Sequence, residues 1–151
     1  MTTARIIGLG NRFRGDDAVG PLAAEKAAAS GLPPGVEAVE AGGDPFALLD
    51  LIMTCRRAVI VDAAEMGAAP GTVRVLRDEA IPSAWEMHTS LHAVDLCEVI
   101  AMARKMGTTA RLSLVAVQPG ACGYHDGLSP AVQERIVEIT SLALKEAVNE
   151  A

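Results

Sequence analysis

The chain has 151 residues, of which 50% are hydrophobic and 21% are charged, and its formal net charge is −6. This length predicts one domain, residues 1–151, with enough apolar side chains for a core. The acidic balance disfavours nucleic acid and anionic membrane as main partners, because both are bound through clustered lysine and arginine. The N-terminus lacks the apolar core of a signal peptide, and no apolar run reaches the roughly 18 residues of a membrane span, so we expect a cytoplasmic protein.

The first predicted elements are a strand at 4–9 and a helix at about 18–30, joined by a glycine-rich loop. The loop reads GLGNRFRGDDAVG and places Asp16 and Asp17 side by side at the start of the helix. A helix N-cap needs one acid, and a second beside it adds repulsion unless a charge or a proton offsets it. We therefore interpret Asp16 as the N-cap and Asp17 as the functional residue.

The rest of the chain alternates strand and helix patterns. Further strands are predicted at 36–41, 57–63, 72–77 and 111–117, and further helices start after Asp44, at about 91 and after Ser129. The run at 57–63 is apolar until Asp62, which is typical of a central strand, whereas 72–77 alternates like a half-exposed or edge strand. Five strands and four helices predict a single-domain three-layer α/β/α sandwich with a mostly parallel five-stranded twisted sheet.

Two carboxylates and one imidazole, from Asp17, Asp62 and His92, are expected near one end of this sheet. Open parallel sheets bind ligands at the carboxyl ends of their strands. Asp17 follows the first strand, Gly42 and Gly43 follow the second, and Asp62 closes the third. His92 precedes the apolar stripe of the fourth helix pattern on the same side. Two carboxylates and one imidazole suit a divalent metal and leave positions open for water or substrate.

A nucleotide site is a weaker alternative. Gly8 and Gly10 after a strand, with Glu40 at the end of the next, resemble part of a dinucleotide fingerprint. The position of the third glycine holds Phe13, and adjacent carboxylates would repel a pyrophosphate.

Nucleophilic and zinc sites are also disfavoured. The three cysteines, Cys55, Cys97 and Cys122, form no C-x-x-C pair and are interpreted as small buried residues. His88 and His92 have helical spacing, but a cap at Ser90 would leave His88 outside the helix.

Four pieces in order carry a resemblance that covers nearly the whole chain. They are the loop GLGNRFRGDDAVG, the Gly-Gly pair at 42–43, V-D-A at 61–63 and S-x-H at 90–92. The sequence resembles the hydrogenase maturation endopeptidase family, which trims the C-terminal extension from the large subunit of nickel-iron hydrogenases after nickel insertion. Carried over residue by residue, the metal contacts of the family fall on Asp17, Asp62 and His92. Ala18 departs from the glycine that commonly follows the second acid.

The resemblance implies a phosphorylase/hydrolase-like fold. It also implies hydrolysis of one peptide bond in the precursor large subunit, with nickel supplied by the substrate and no nucleotide cofactor. Asp17 and Asp62 are then the catalytic candidates, since the ion or one of these acids would activate water. We assign a substrate-binding or loop-shaping role to four residues, Gly10, Asn11, Gly42 and Gly43. A non-catalytic nickel-sensing maturation chaperone with the same three ligands stays open as an alternative.

Overall fold

In this computed structural model, the described residues are 2–81, 96–120, 123 and 127–149. The strands are β1 (Thr2–Leu9), β2 (Val36–Gly42), β3 (Cys55–Ala63), β4 (Val73–Arg77) and β5 (Arg111–Val117). The α-helices are α1 (Val19–Ala29), α2 (Pro45–Met53), α3 (Leu96–Lys105), α4 (Pro130–Gln133) and α5 (Ile136–Val148). Two 3-10 turns lie at Gly15–Ala18 and Asp78–Ala80.

The five strands form one sheet in the order β2-β1-β3-β5-β4. Strands β2, β1, β3 and β5 are parallel, and β4 runs antiparallel to β5 at the margin. The prediction of a central β3 and an edge β4 is confirmed. Because β1, β3 and β5 point the same way, they end together near Leu9, Ala63 and Val117. We call this the carboxyl end of the sheet and the opposite one the amino end.

Helices cover both faces of the sheet, as the three-layer prediction requires. One apolar cluster joins α1 and α5 to strand side chains such as Val59 and Val115. The other joins α2 and α3 to side chains such as Ile60 and Leu114. Side chains alternate along a strand, so Asp62 lies on the same face as Ile60, beneath α2 and α3.

Several helix boundaries differ from the prediction. Helix α1 begins one residue late because the 3-10 turn precedes it. The predicted single final helix is wrong, since it is divided into α4 and α5. Arg135 N donates to the Val132 carbonyl oxygen, an i to i−3 bond that tightens the chain between them.

The predicted cap of α2 and the predicted burial of two cysteines are present in the structure. Asp44 caps α2 as predicted, with its side chain accepting from Phe46 N at 2.9 Å, but Phe46 itself is 78% exposed. Cys55 and Cys97 are buried as predicted, whereas Cys122, His88, Ser90 and the predicted helix start at 91–95 lie outside the described residues. None of the described helices has the length and apolar character needed to span a membrane.

Candidate active site at the carboxyl end of the sheet

The loop after β1 folds back onto the 3-10 turn that carries the two acids. Gly10 has φ of 134°, and a Cβ atom there would overlap the carbonyl oxygen of Asp17. Asn11 N donates to Asp17 Oδ2 at 2.9 Å, while Asn11 Oδ1 accepts from Phe13 N at 2.8 Å. Gly10 and Asn11 therefore shape the loop, and the loop fixes one carboxylate oxygen of Asp17.

The 3-10 turn also lies against the end of β3. A Cβ atom on Gly20 would overlap the carbonyl oxygens of Leu9 and Val61, so the start of α1 sits directly on the ends of both strands. Asp17 is 1% exposed and Asp62 is fully buried. Two buried carboxylates from distant parts of the sequence thus lie at the same end of the sheet, Asp62 on β3 and Asp17 in the 3-10 turn that follows the neighbouring strand β1.

Asp16 does not cap a helix, and this part of the prediction is wrong. It lies inside the 3-10 turn, where neither this turn nor α1 receives a side-chain cap bond. Its fully buried carboxylate instead accepts from Gly120 N at 2.7 Å, Ser129 N at 2.6 Å and Ser129 Oγ at 2.6 Å. Asp16 therefore ties the turn to both described ends of the connection between β5 and α4.

A groove opens between the loop after β1 and the end of β2. It has a volume of about 570 Å³ and is lined by Gly10–Phe13 and Glu40–Gly43. Arg12 holds the two sides together by donating from Nε to Glu40 Oε1 at 2.6 Å, and this hydrogen bond raises the pKa of Arg12. Phe13 is 71% exposed at the rim.

Sequence comparison identifies the family. A family model described as hydrogenase maturation protease, HycI, matches residues 21–146. The chain belongs to the hydrogenase maturation protease family. The hydrogenase 2 maturation protease of Escherichia coli K12 is 32% identical over 152 residues, covering 97% of this chain and 93% of that protein.

Solved structures agree with this family assignment. The hydrogenase maturating endopeptidase HybD from Escherichia coli superposes with a TM-score of 0.82 at 30% identity, over 93% of this chain and 88% of that one. A [NiFe] hydrogenase maturation protease HycI from Thermococcus kodakarensis gives a TM-score of 0.77 at 26% identity, over 98% and 94% of the two chains. This hydrogenase maturation protease is therefore a peptidase, and the predicted family and fold are confirmed.

The metal-binding prediction for this protease is only partly covered by the structure. Within residues 2–81, 96–120, 123 and 127–149, no three His, Cys, Asp or Glu side chains group closely enough to hold a metal ion. His92 lies outside the described residues, four positions before Leu96, the first residue of α3. Asp17 and Asp62 offer oxygen donors that fit a divalent cation as part of a larger ligand set.

Gln118 is a buried polar residue at the same end of the sheet that the sequence did not indicate. This buried side chain follows β5 and accepts from Met66 N at 2.7 Å through Oε1, while its Nε2 donates to Glu65 at 3.0 Å. It thereby holds the loop that follows Asp62 and Ala63 at the end of β3. A lone glutamine before a Pro-Gly turn carries no local signal for this contact.

Proposed function

We propose that this protease removes the C-terminal extension from the large-subunit precursor of a nickel-iron hydrogenase, in the cytoplasm, after nickel has been inserted. The observation that supports it most is the placement of two buried carboxylates at the carboxyl end of the sheet, Asp62 on β3 and Asp17 in the 3-10 turn after the adjacent strand β1. The loop after β1 holds Asp17 through the hydrogen bond from Asn11 N. The same loop lines the open groove.

The substrate's nickel is the proposed recognition element. Asp17, Asp62 and His92 would supply two carboxylates and one imidazole, which is an incomplete ligand shell for a divalent ion. Nickel held by softer ligands of the precursor could accept these groups at vacant positions. Recognition would then depend on metal insertion, because the metal-free precursor lacks the contact.

The same two acids are the proposed catalytic residues. One carboxylate accepts a proton from a water molecule whose oxygen adds to the carbonyl carbon of the scissile peptide. The resulting tetrahedral intermediate collapses with cleavage of the C–N bond, and the proton passes to the leaving amine. Because this route uses no thiol, alanine substitution of the buried Cys55 and Cys97 should leave cleavage intact in folded protein.

The groove is the proposed path of the precursor chain. Its volume of about 570 Å³ suits a short peptide segment. One wall is the end of β2, which is the outermost strand of the sheet and offers backbone groups to an extended peptide. Gly42 and Gly43 lie on that wall and present backbone without side chains, which allows a close approach.

The decisive experiment incubates the protein with nickel-loaded and metal-free precursor large subunit and follows gel mobility. Loaded precursor should shift to the shorter form, and metal-free precursor should not. Asp17→Asn should abolish the shift, whereas Arg74→Gln, on an exposed side chain of β4, should retain it.

Three results would contradict the proposal. Binding of loaded precursor without any cleavage would favour a nickel-sensing chaperone. Equal cleavage of metal-free precursor would remove nickel as the recognition element. Tight nickel binding by the isolated protein, measured by calorimetry, would indicate a resident-metal protease instead.

A further inference from the structure

Three arginines line a hollow at the amino end of the sheet, away from the proposed reaction. The hollow has a volume of about 300 Å³. Arg56 and Arg57 come from the start of β3, and Arg111 is the first residue of β5. The remaining walls are formed by Thr3, Pro33, Pro34, Val36, Ala147, Val148 and Asn149.

Two of these arginines stand side by side on the sheet. Arg57 of β3 is directly in register with Arg111 of β5. Residues in register on parallel strands project from the same face, here the face covered by α1 and α5. Like charges directly opposite on neighbouring strands are destabilising. A negatively charged group in the hollow would relieve that repulsion.

No described residue supplies enough compensating charge. The ion pairs found among the described residues include none of the three arginines. Glu146 interacts electrostatically with Arg57, but its oxygens already accept hydrogen bonds from Arg77 and Ser113.

The C-terminal end of α5 reaches the hollow at Val148. A helix terminus contributes roughly half an elementary negative charge. The in-register pair Arg57 and Arg111 carries a formal charge of +2 on this face, and Arg56 adds a third positive charge from the opposite face of β3. This positive charge exceeds the negative charge that the described residues around the hollow supply.

We propose that this hollow binds a small anion of the phosphate class, either inorganic phosphate or pyrophosphate or the phosphate group of an organic ester. Guanidinium forks match phosphate oxygens with paired hydrogen bonds. The apolar wall at Pro33, Pro34 and Val36 can also pack against the organic part of an ester. The site is independent of the proposed cleavage, since Arg57 precedes Asp62 by five residues of extended strand, about 17 Å.

The test is calorimetric titration of the full chain with inorganic phosphate, pyrophosphate and adenosine monophosphate as separate probes. We expect at least one probe to bind with a Kd below about 1 mM. Tighter binding of pyrophosphate would identify an inorganic ligand, whereas tighter binding of the nucleotide would identify an ester. Arg57→Gln and Arg111→Gln should each weaken binding by about tenfold or more, and Arg74→Gln on β4 serves as the matched control.

A second measurement guards against misfolded variants. The bound probe should raise the thermal unfolding midpoint of the wild-type chain and of Arg74→Gln, but not of Arg57→Gln. Arg57→Lys keeps the charge without the fork and should bind with intermediate affinity. The proposal is overturned if none of the three probes binds, if Arg57→Gln and Arg111→Gln bind as well as wild type, or if an acidic tetrapeptide binds more tightly than every phosphate probe.

Discussion

The two ends of the central sheet carry opposite charge in different environments. At the carboxyl end, Asp16, Asp17 and Asp62 are at most 1% exposed. At the amino end, Arg56 and Arg111 are exposed, and only Arg57 is half-buried. Burying a carboxylate is costly unless hydrogen bonds compensate it, whereas a solvated arginine needs no partner. The buried carboxylates at the carboxyl end therefore depend on a fixed hydrogen-bond network. The arginines at the amino end are solvated and remain accessible to a ligand.

The largest effects are expected from the acids at the carboxyl end. Asp17→Asn and Asp62→Asn should each lower cleavage of nickel-loaded precursor by more than about a hundredfold, because even outer partners of metal ligands are worth 10- to 100-fold. Both variants should keep the circular dichroism spectrum of wild type. Arg57→Gln at the amino end provides the comparison and should retain cleavage. A loss of cleavage in that variant as large as in Asp17→Asn would contradict the functional independence of the two ends.

Asp16 should affect stability more than its neighbour does. Replacing it with alanine removes three hydrogen bonds to a buried carboxylate, and we expect the free energy of unfolding to fall by about 3 kcal/mol. Asp16→Asn should cost about 1–2 kcal/mol, because its amide group turns a donor toward another donor. Urea unfolding measures both. An Asp16→Asn variant as stable as wild type would contradict a stabilising role for these three hydrogen bonds.

The contrast between Asp16 and the strands shows what the sequence could predict. The apolar run before Asp62 and the alternation at 72–77 are local patterns, and they placed β3 at the centre and β4 at the margin. The partners of Asp16 are Gly120 and Ser129, more than a hundred residues away. An acid before a helix has the same local pattern whether it caps the helix or binds a distant loop. Only tertiary contacts distinguish the two.

Among the site predictions, only the placement of Asp17 and Asp62 at the same end of the sheet followed from topology, because parallel strands end together. The roles of Asp17, Asp62 and His92 stay predictions, and His92 lies outside the described residues.

Glu146 is a buried carboxylate nearer the amino end, and it should matter for stability and not for cleavage. It accepts from Arg77 at 2.7 and 2.8 Å and from Ser113 at 2.9 Å. Glu146→Gln should lower the free energy of unfolding at pH 7 by about 1–3 kcal/mol. Glu138→Gln is the matched control, because Glu138 pairs with Arg135 at the surface of the same helix. Glu138→Gln should change the free energy of unfolding by less than about 0.5 kcal/mol.

The same residue predicts a pH dependence. The hydrogen bonds from Arg77 lower the pKa of Glu146 from its ordinary value of 4.5, against the opposing effect of burial. A lowered pKa in the folded state means that the carboxylate contributes its full stability above pH 4.5 and loses it as the pH falls through the lowered value. The difference between wild type and Glu146→Gln should therefore shrink in urea unfolding below pH 4.5. A constant difference would contradict this account.

The smallest effects should come from one glycine at each end of the sheet. A Cβ atom on Gly43, in the groove wall, or on Gly31, between α1 and β2, would meet nothing within 4 Å. Only Gly31 has a left-handed backbone, with φ of 83°. Gly31→Ala should therefore lower the free energy of unfolding by about 1 kcal/mol and leave cleavage unchanged. Gly43→Ala should leave stability equal or slightly higher, because its backbone suits alanine.

If the precursor chain lies across the groove wall, the added methyl group of Gly43→Ala would hold it away from the end of β2. We expect KM for the loaded precursor to rise by roughly threefold to tenfold, with kcat nearly unchanged, since the loss is in binding remote from the reacting bond. Steady-state cleavage gives KM and kcat for both variants, and urea unfolding gives their free energies of unfolding. If Gly43→Ala has the KM of wild type, the precursor chain does not bind across this groove wall. A loss of cleavage in Gly31→Ala would show that the two ends of the sheet are coupled.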